Sequence, residues 1–200
     1  MATKAVFCDA LGTLVELEPP WIRAGDEAAW RKEMAYYREH AIEGSDQAAL
    51  AGLRARCADV LSRELGQEVG VETMMAAIRF RAYPDAAPAL AALRARGLTL
   101  VCVSNWDYAL GEVLERCGLG DLLDAVVTSA ATASRKPDPA IFAAALELAG
   151  CAPGEALHVG DTDAEDIAGA RAAGIPALLL DRGGFGQIAS LADIEDHLRP

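Results

Sequence analysis

Several polar residues of this chain stand where they could take part in chemistry, each at the end of a predicted strand or beside a predicted helix. They are Asp9, Ser104, Asn105, Lys136, Asp161 and Asp166. Because open α/β sheets bind their ligands at the carboxyl ends of parallel strands, we expect these groups to converge at one edge of a sheet. A carboxylate such as Asp9 can act there as a nucleophile or as a metal ligand.

This set of groups fits the charge problem of phosphoryl transfer. A carboxylate that attacks a phosphate is repelled by it, and magnesium held by two carboxylates, together with a lysine, would offset the repulsion. A hydroxyl and an amide can hold the oxygens of the transferring group. Each residue alone also has a structural interpretation: Ser104 and Asp161 as helix caps, Lys136 as a solvated loop charge. Their joint occurrence favours a site.

The elements that must position these residues form an alternating pattern. Short apolar runs predict strands immediately before Asp9 and over 98–103, 125–128, 156–159 and 176–180. Helical patterns over 86–97, 108–117, 138–150 and 164–173 lie between or after them, and a short helix is expected near 191–198. Strands alternating with helices predict an α/β fold: a doubly wound, parallel five-stranded sheet with right-handed crossovers.

The segment after the first strand interrupts this alternation. Residues 16–20 predict a stiff, extended linker, and no strand is expected between 21 and 81. Asp26 and Asp46 are candidate N-caps of two helices, and 71–80 predicts a third. We therefore expect an α/β core formed by residues 1–16 and 84–200, with an all-helical insertion over 17–83.

Composition narrows the partners and the compartment. The 200 residues carry a net charge of −12, which argues against nucleic acid or an anionic membrane surface as a partner. The five cysteines are scattered and odd in number, which fits a reducing cytoplasm. Neither a signal-peptide pattern nor an apolar run long enough for a membrane span is found, so we expect a cytoplasmic protein.

The sequence resembles the haloacid dehalogenase-like hydrolase superfamily. The run Asp9-Ala10-Leu11-Gly12-Thr13 is similar to its first motif, 103–105 (Val-Ser-Asn) to its second, and Lys136-Pro137 to its third. The run 160–166 (Gly-Asp-Thr-Asp-Ala-Glu-Asp) is similar to the fourth, in which two carboxylates are separated by four residues. The four occur in the expected order, and the helical insertion resembles the family's mobile cap. The resemblance covers nearly the whole chain.

The resemblance implies roles for individual residues. Asp9 would be the nucleophile that forms a covalent aspartyl intermediate, and Lys136 would stabilise it and the charge of the transition state. Ser104 would take part in catalysis by binding the transferring group. The expected substrate-binding residues are Thr13, Ser104 and Asn105. The implied magnesium ligands are Asp9, Asp161, Asp166 and the main-chain carbonyl of Leu11.

Leu11 departs from the pattern of the family's phosphatases, which usually have a second Asp at this position to protonate the leaving group. Losing such general acid–base help typically costs about 10²–10⁴ in rate. Three hypotheses follow. A magnesium-dependent phosphatase of a small metabolite would use a good leaving group or an acid from the cap. A metal-independent 2-haloacid dehalogenase would need no proton, although such enzymes typically have Tyr at this position and lack the Gly160-Asp161 pair. A catalytically weak binding or regulatory protein is the third. The intact fourth motif favours the phosphatase.

A few further residues of the insertion could face a small-molecule substrate, although packing is the simpler expectation for each. They are Trp21, Tyr36, Tyr37, Arg38 and His40. Asp107 is expected to cap a helix, and His158 to be a hydrogen-bonded core residue. We expect a monomer or a homodimer.

Overall fold

A computed structural model describes residues 2–20 and 23–200, and Trp21 lies outside them. Its seven strands are β1 (Ala5–Cys8), β2 (Val15–Leu17), β3 (Phe80–Ala82), β4 (Thr99–Ser104), β5 (Ala125–Thr128), β6 (Ala156–Gly160) and β7 (Ala177–Leu179). Five of them form one sheet in the order β5-β4-β1-β6-β7, with every neighbouring pair parallel. The predicted doubly wound sheet is confirmed.

Strand β1 occupies the centre of the sheet because it is apolar on both faces. Phe7 is paired with Val101 of β4 on one side and with His158 of β6 on the other. Val6 points into one apolar cluster and Phe7 into the other, and both are fully buried. A continuous apolar strand is what a parallel sheet covered on both faces requires.

Helices cover both faces and form the insertion. They are α1 (Glu27–His40), α2 (Gln47–Leu65), α3 (Val71–Ala77), α4 (Ala86–Ala95), α5 (Leu110–Arg116), α6 (Ser129–Thr132), α7 (Pro139–Ala149) and α8 (Ala168–Ala172). Leu90 of α4 and Leu110 of α5 join the cluster on one face of the sheet, whereas Phe142 of α7 and Ala170 of α8 join the other. A 3₁₀ segment, Leu191–His197, replaces the short helix expected near the C-terminus.

The insertion helices largely follow the prediction. Asp46 caps α2 by accepting a hydrogen bond from the Ala49 N–H at 2.9 Å, and Gly66 ends that helix in the left-handed conformation. Asp26 stands at the start of α1 without capping it through its side chain. These helices share an apolar cluster that includes Trp30 and Leu53, both fully buried.

The expectation of an extended linker followed by a strand-free segment is wrong at both ends of the insertion. Strands β2 and β3 form a two-stranded antiparallel ribbon, in which Glu16 is paired with Arg81 and the two side chains form an ion pair at 2.9 Å. Helix α3 accordingly ends at Ala77, earlier than predicted. Strands of three residues, far apart in sequence, carry too little periodicity to be recognised alone. In residues 2–20 and 23–200, none of the helices has the length and apolar character needed to cross a membrane.

Candidate active site

Asp9 lies directly beyond the carboxyl end of the central strand and is 6% exposed. Its Oδ1 accepts hydrogen bonds from the Ser104 hydroxyl at 2.9 Å and from Lys136 Nζ at 2.5 Å. Ser104 reaches it because β4 is paired in register with β1. Burial raises the pKa of the Asp9 carboxyl, whereas Lys136 and Ser104 favour its ionised form. Two donors therefore hold the carboxylate in one orientation.

Lys136 is a buried cation between two carboxylates. Its Nζ lies 2.5 Å from Asp9 Oδ1 and 2.6 Å from Asp166 Oδ1. Burial alone would lower the pKa of the ammonium group, but the charges of the two carboxylates and their hydrogen bonds outweigh this and raise it. Lys136 therefore stays charged beside Asp9 at any physiological pH.

Asp166 is held from three sides. Besides Lys136, its Oδ1 contacts His158 Nε2 at 3.0 Å, and its Oδ2 accepts from the Thr162 N–H at 3.1 Å. Burial would raise its pKa, but Lys136 and His158 reverse the direction and lower it. Gly160 makes room for this side chain, since a Cβ there would stand 2.1 Å from Asp166 Cγ. His158 is a hydrogen-bonded core residue, as expected.

A π-helical turn, Asp163–Ile167, precedes α8 and was not predicted within the expected helix over 164–173. Asp166 lies inside this turn and lines the cavity. Such turns often occur at functional sites, because the extra residue redirects a side chain.

Asp161 completes a group of three carboxylates. One oxygen each from Asp9, Asp161 and Asp166 lie within 4.8 Å of one another. Burial, followed by repulsion from Asp9 and Asp166, raises the pKa of Asp161 to about 6. Gly12 is needed for this arrangement: its φ is +90°, and a Cβ on it would lie 2.1 Å from Asp161 Oδ2. Three carboxylates facing a single lysine form a hard-oxygen donor set with excess negative charge, which suits magnesium.

The Asn105 side chain is used in an unexpected way. Its Oδ1 accepts from the Lys136 N–H at 2.8 Å, and its Nδ2 donates to the Lys136 carbonyl and to Glu165 Oε2, both at 3.0 Å. The amide thus fixes the main chain of the lysine. Asn105 lines the cavity, but the structure engages its side chain in positioning Lys136.

Thr13 differs from the other predicted site residues. Thr13 is fully buried, and its Oγ1 has no hydrogen-bond partner among residues 2–20 and 23–200. Among the described residues, Thr13 is not one of those that line the cavity above Asp9. Leu11, by contrast, does line it. The structure therefore brings together every predicted site residue except Thr13.

A cavity of about 570 Å³ extends from these polar groups to the insertion helices. Its apolar lining comes from Leu11, Leu17, Trp30, Met34, Met74, Met75, Ile78, Phe80, Trp106 and Val113. Tyr37 and Arg38 also face it, whereas Tyr36 and His40 stack on each other with ring centroids 4.1 Å apart. The Tyr37 hydroxyl donates to Asp107 Oδ2 at 2.7 Å, which links the insertion to the loop after β4.

Glu33 is a buried acid of the cavity that the sequence did not predict. It lines the cavity from α1 and is 3% exposed. Burial raises the pKa of its carboxyl, and a hydrogen bond with the Cys57 thiol acts in the opposite direction. The signal was present in the sequence: a carboxylate on the helix face shared by Trp30, Met34 and Tyr37.

The comparisons with known proteins agree with this geometry. Residues 3–174 match the family described as haloacid dehalogenase-like hydrolase. The phosphoglycolate phosphatase of Rhodospirillum rubrum is 34% identical over 196 residues, covering 90% of this chain and 80% of that protein. The bovine haloacid dehalogenase-like hydrolase domain-containing protein 3 is 46% identical over 87 residues, which are 44% of this chain; the match spans only 35% of that relative's length.

Among solved structures, the L-2-haloacid dehalogenase of Xanthobacter autotrophicus superposes with a TM-score of 0.73 at 24% identity, covering 97% of each chain. At this identity the likeness concerns the fold. It confirms the α/β architecture.

Proposed function

The chain belongs to the haloacid dehalogenase-like hydrolase family, and we propose that it is a magnesium-dependent hydrolase of a small phosphorylated metabolite. The observation that carries this proposal is the position of Asp161. Its carboxylate stands within 4.8 Å of Asp9 and Asp166 and completes an oxygen-donor set that phosphoryl transfer needs and halide displacement does not. The similarity to a phosphoglycolate phosphatase over 90% of the chain supports the same class of reaction.

The proposed reaction begins with Asp9. Ser104 and Lys136 both bind its Oδ1, and no described residue donates a hydrogen bond to Oδ2, which leaves that oxygen for attack on phosphorus. The ester bond breaks as the aspartyl phosphate forms, and water then releases phosphate. Lys136 offsets the added negative charge throughout, and the Ser104 hydroxyl can turn to a phosphoryl oxygen.

The proposed magnesium ligands are Asp9, Asp161, Asp166 and the carbonyl of Leu11. When bound there, the ion would neutralise charge on the nucleophile and on the phosphate. The raised pKa of Asp161 supports this assignment, because the mutual repulsion that causes it is what a cation relieves.

The proposed division of labour follows the two sides of the cavity. Residues 1–16 and 84–200 would form the catalytic core, and 17–83 a cap that closes over the substrate and excludes water. The small, partly apolar cavity supports a small-molecule substrate. A cytoplasmic location and a monomeric or homodimeric state remain part of the proposal.

Leu11 is also compatible with a second candidate function, that of a metal-independent 2-haloacid dehalogenase in which Asp9 attacks carbon. No proton donor is needed when halide leaves, so a leucine here is compatible with that reaction. The carboxylate of Asp161 has no task in it.

One pair of assays separates these functions. Hydrolysis of p-nitrophenyl phosphate is measured with magnesium and after chelation, and halide release is measured from 2-chloropropionate. The proposal expects magnesium-dependent phosphate release and no halide. Halide release without magnesium, with no phosphate release, would overturn it in favour of the dehalogenase.

A further inference from the structure

Leu11 leaves the proposed reaction short of one proton. An alkoxide leaving group must be protonated as it departs, and the water that later attacks the aspartyl phosphate must lose a proton. A leucine side chain can do neither. If the chain hydrolyses ordinary phosphate esters, another acid that faces the cavity must do both.

The carboxylates nearest Asp9 are already committed. Asp9 is the proposed nucleophile, and Asp161 and Asp166 belong with it to the proposed metal site. Asp166 also carries a depressed pKa because Lys136 and His158 outweigh its burial, so it holds no proton to give.

Asp107 faces the cavity but has both oxygens occupied. Oδ2 accepts from the Tyr37 hydroxyl at 2.7 Å, and Oδ1 accepts from the Ala109 N–H at 2.8 Å. A carboxylate that accepts two such bonds is fixed in place and acts as a structural link between the insertion and the core.

The two remaining acids on the core side are also paired. Glu165 accepts from Asn105 at 3.0 Å and lies 3.5 Å from an Arg135 guanidinium nitrogen. Glu112 is exposed and lies 3.8 Å from Arg116. Both carboxylates are therefore paired with an arginine of the core.

Glu33 is different from all of these. It is 3% exposed, and its carboxyl has the Cys57 thiol as a hydrogen-bond partner; among residues 2–20 and 23–200, no cation forms an ion pair with it. Burial raises the pKa of the carboxyl, so it retains its proton to higher pH than an ordinary glutamate. A protonated carboxyl that lines the same cavity as Leu11 has the chemistry that Leu11 lacks.

We propose that Glu33, on the insertion side of the cavity, is the general acid and base of the hydrolase reaction; this inference rests on the proposed function. As Asp9 bonds to phosphorus and the ester P–O bond breaks, the Glu33 proton passes to the leaving oxygen and yields an alcohol. Water then attacks phosphorus while Glu33 takes one of its protons, and the P–O bond to Asp9 breaks. Phosphate leaves, and both carboxyl groups return to their starting states.

The test compares two substrates in each variant. Benzyl phosphate releases an alkoxide that needs a proton, whereas p-nitrophenyl phosphate releases a stable phenolate. For Glu33→Gln we expect the ratio of kcat/KM for benzyl over p-nitrophenyl phosphate to fall by about 10²-fold or more. The matched control is Glu39→Gln, an exposed glutamate of the same helix, for which the ratio should stay unchanged.

A ratio measured on one sample does not depend on how much of the variant is folded. If Glu33→Gln lowers kcat/KM for both substrates equally, or leaves the ratio as it is, the role of Glu33 is overturned while the phosphatase proposal stands. If the wild-type protein with magnesium hydrolyses neither ester, the proposed function falls and the role of Glu33 falls with it.

Discussion

The two sides of the cavity are built on opposite principles. On the core side, Lys136 bridges Asp9 and Asp166, and each of these carboxylates has a further donor in Ser104 or His158. On the insertion side, most of the lining residues are apolar, and the Tyr37 hydroxyl is bonded to Asp107 of the core. Trp30 Nε1 is buried without a hydrogen-bond partner among the described residues.

This difference indicates how the work is divided. A cluster whose members already orient one another is ready for chemistry before substrate arrives, which is the condition for electrostatic preorganisation. Buried polar groups without partners call for an explanation, and a ligand that supplies the missing partner is one. We therefore propose that the core side supplies the nucleophile and the groups that neutralise charge, and that the insertion side selects the substrate and, through Glu33, supplies the proton.

The largest effect should come from removing the nucleophile. Asp9→Asn should lower kcat for p-nitrophenyl phosphate by on the order of 10⁴–10⁶-fold, because an amide cannot form the acyl phosphate. The control is Asp59→Asn, an exposed aspartate of α2, which should act like wild type. If Asp9→Asn changed no measurable property, the chain would instead be a binding or regulatory protein of this fold.

The second effect concerns stability and contrasts a buried charge with an exposed one. Lys136→Met leaves Asp9 and Asp166 buried without their cation, and we expect a loss of about 3–5 kcal/mol in the free energy of unfolding. Lys32, whose side chain is 62% exposed, pairs with Glu64 in the insertion, and Lys32→Met should cost less than about 1 kcal/mol. Urea denaturation without magnesium measures both. Equal losses would contradict the contrast between the two sides.

The same contrast explains how far the sequence could predict the molecule. The five parallel strands and the convergence of Asp9, Ser104 and Asp161 followed from buried strands that each end in a polar residue, because parallel strands share one edge. Those features are local and repeat along the chain.

What could not be predicted depends on contacts between distant segments. The Asn105 side-chain amide bonds to the main chain of Lys136 because of the path of the loop after α6. Nothing in the residues around Asn105 indicates this contact. The pairing of Glu16 with Arg81 in the ribbon likewise joins the two ends of a long insertion. Glu33 stood on a recognisable helix face, but only the folded structure shows that this face lines the same cavity as Asp9.

A third prediction tests how tightly the core side is built. Gly12→Ala places a Cβ 2.1 Å from Asp161 Oδ2 at a φ of +90°, whereas Gly97→Ala at +78° meets nothing within 4 Å. Both should lose about 1 kcal/mol of stability from the left-handed backbone alone. Only Gly12→Ala should weaken magnesium binding, by about 10–100-fold, since it displaces a ligand. Calorimetric titration of each protein with magnesium chloride measures this, and equal affinities would argue against Asp161 as a ligand.

The smallest effect is expected on the insertion side, as a pH dependence of stability. Burial raises the pKa of Glu33 in the folded protein above its ordinary value of 4.5, so the folded state binds this proton more tightly than the unfolded state. The stabilisation of the folded state by this proton is fully present below pH 4.5 and is lost as the pH rises through the pKa of Glu33 in the folded protein. Wild type should therefore lose stability relative to Glu33→Gln across that window.

Three titratable groups bear on this window: Cys57 on α2 neighbours Glu33, and Tyr37 on α1 and Asp107 after β4 line the same cavity. Burial raises the pKa of all three, so Cys57 and Tyr37 stay neutral across the window and exert no charge on Glu33. Asp107 can titrate within it, but it does so in both proteins, and its contribution cancels in the difference. The measurement is the Tm of wild type and Glu33→Gln from pH 4 to 8, with Glu39→Gln as the control. A Tm difference that does not change with pH would show that Glu33 ionises as freely as a surface glutamate. The insertion side would then offer no protonated carboxyl to the leaving group.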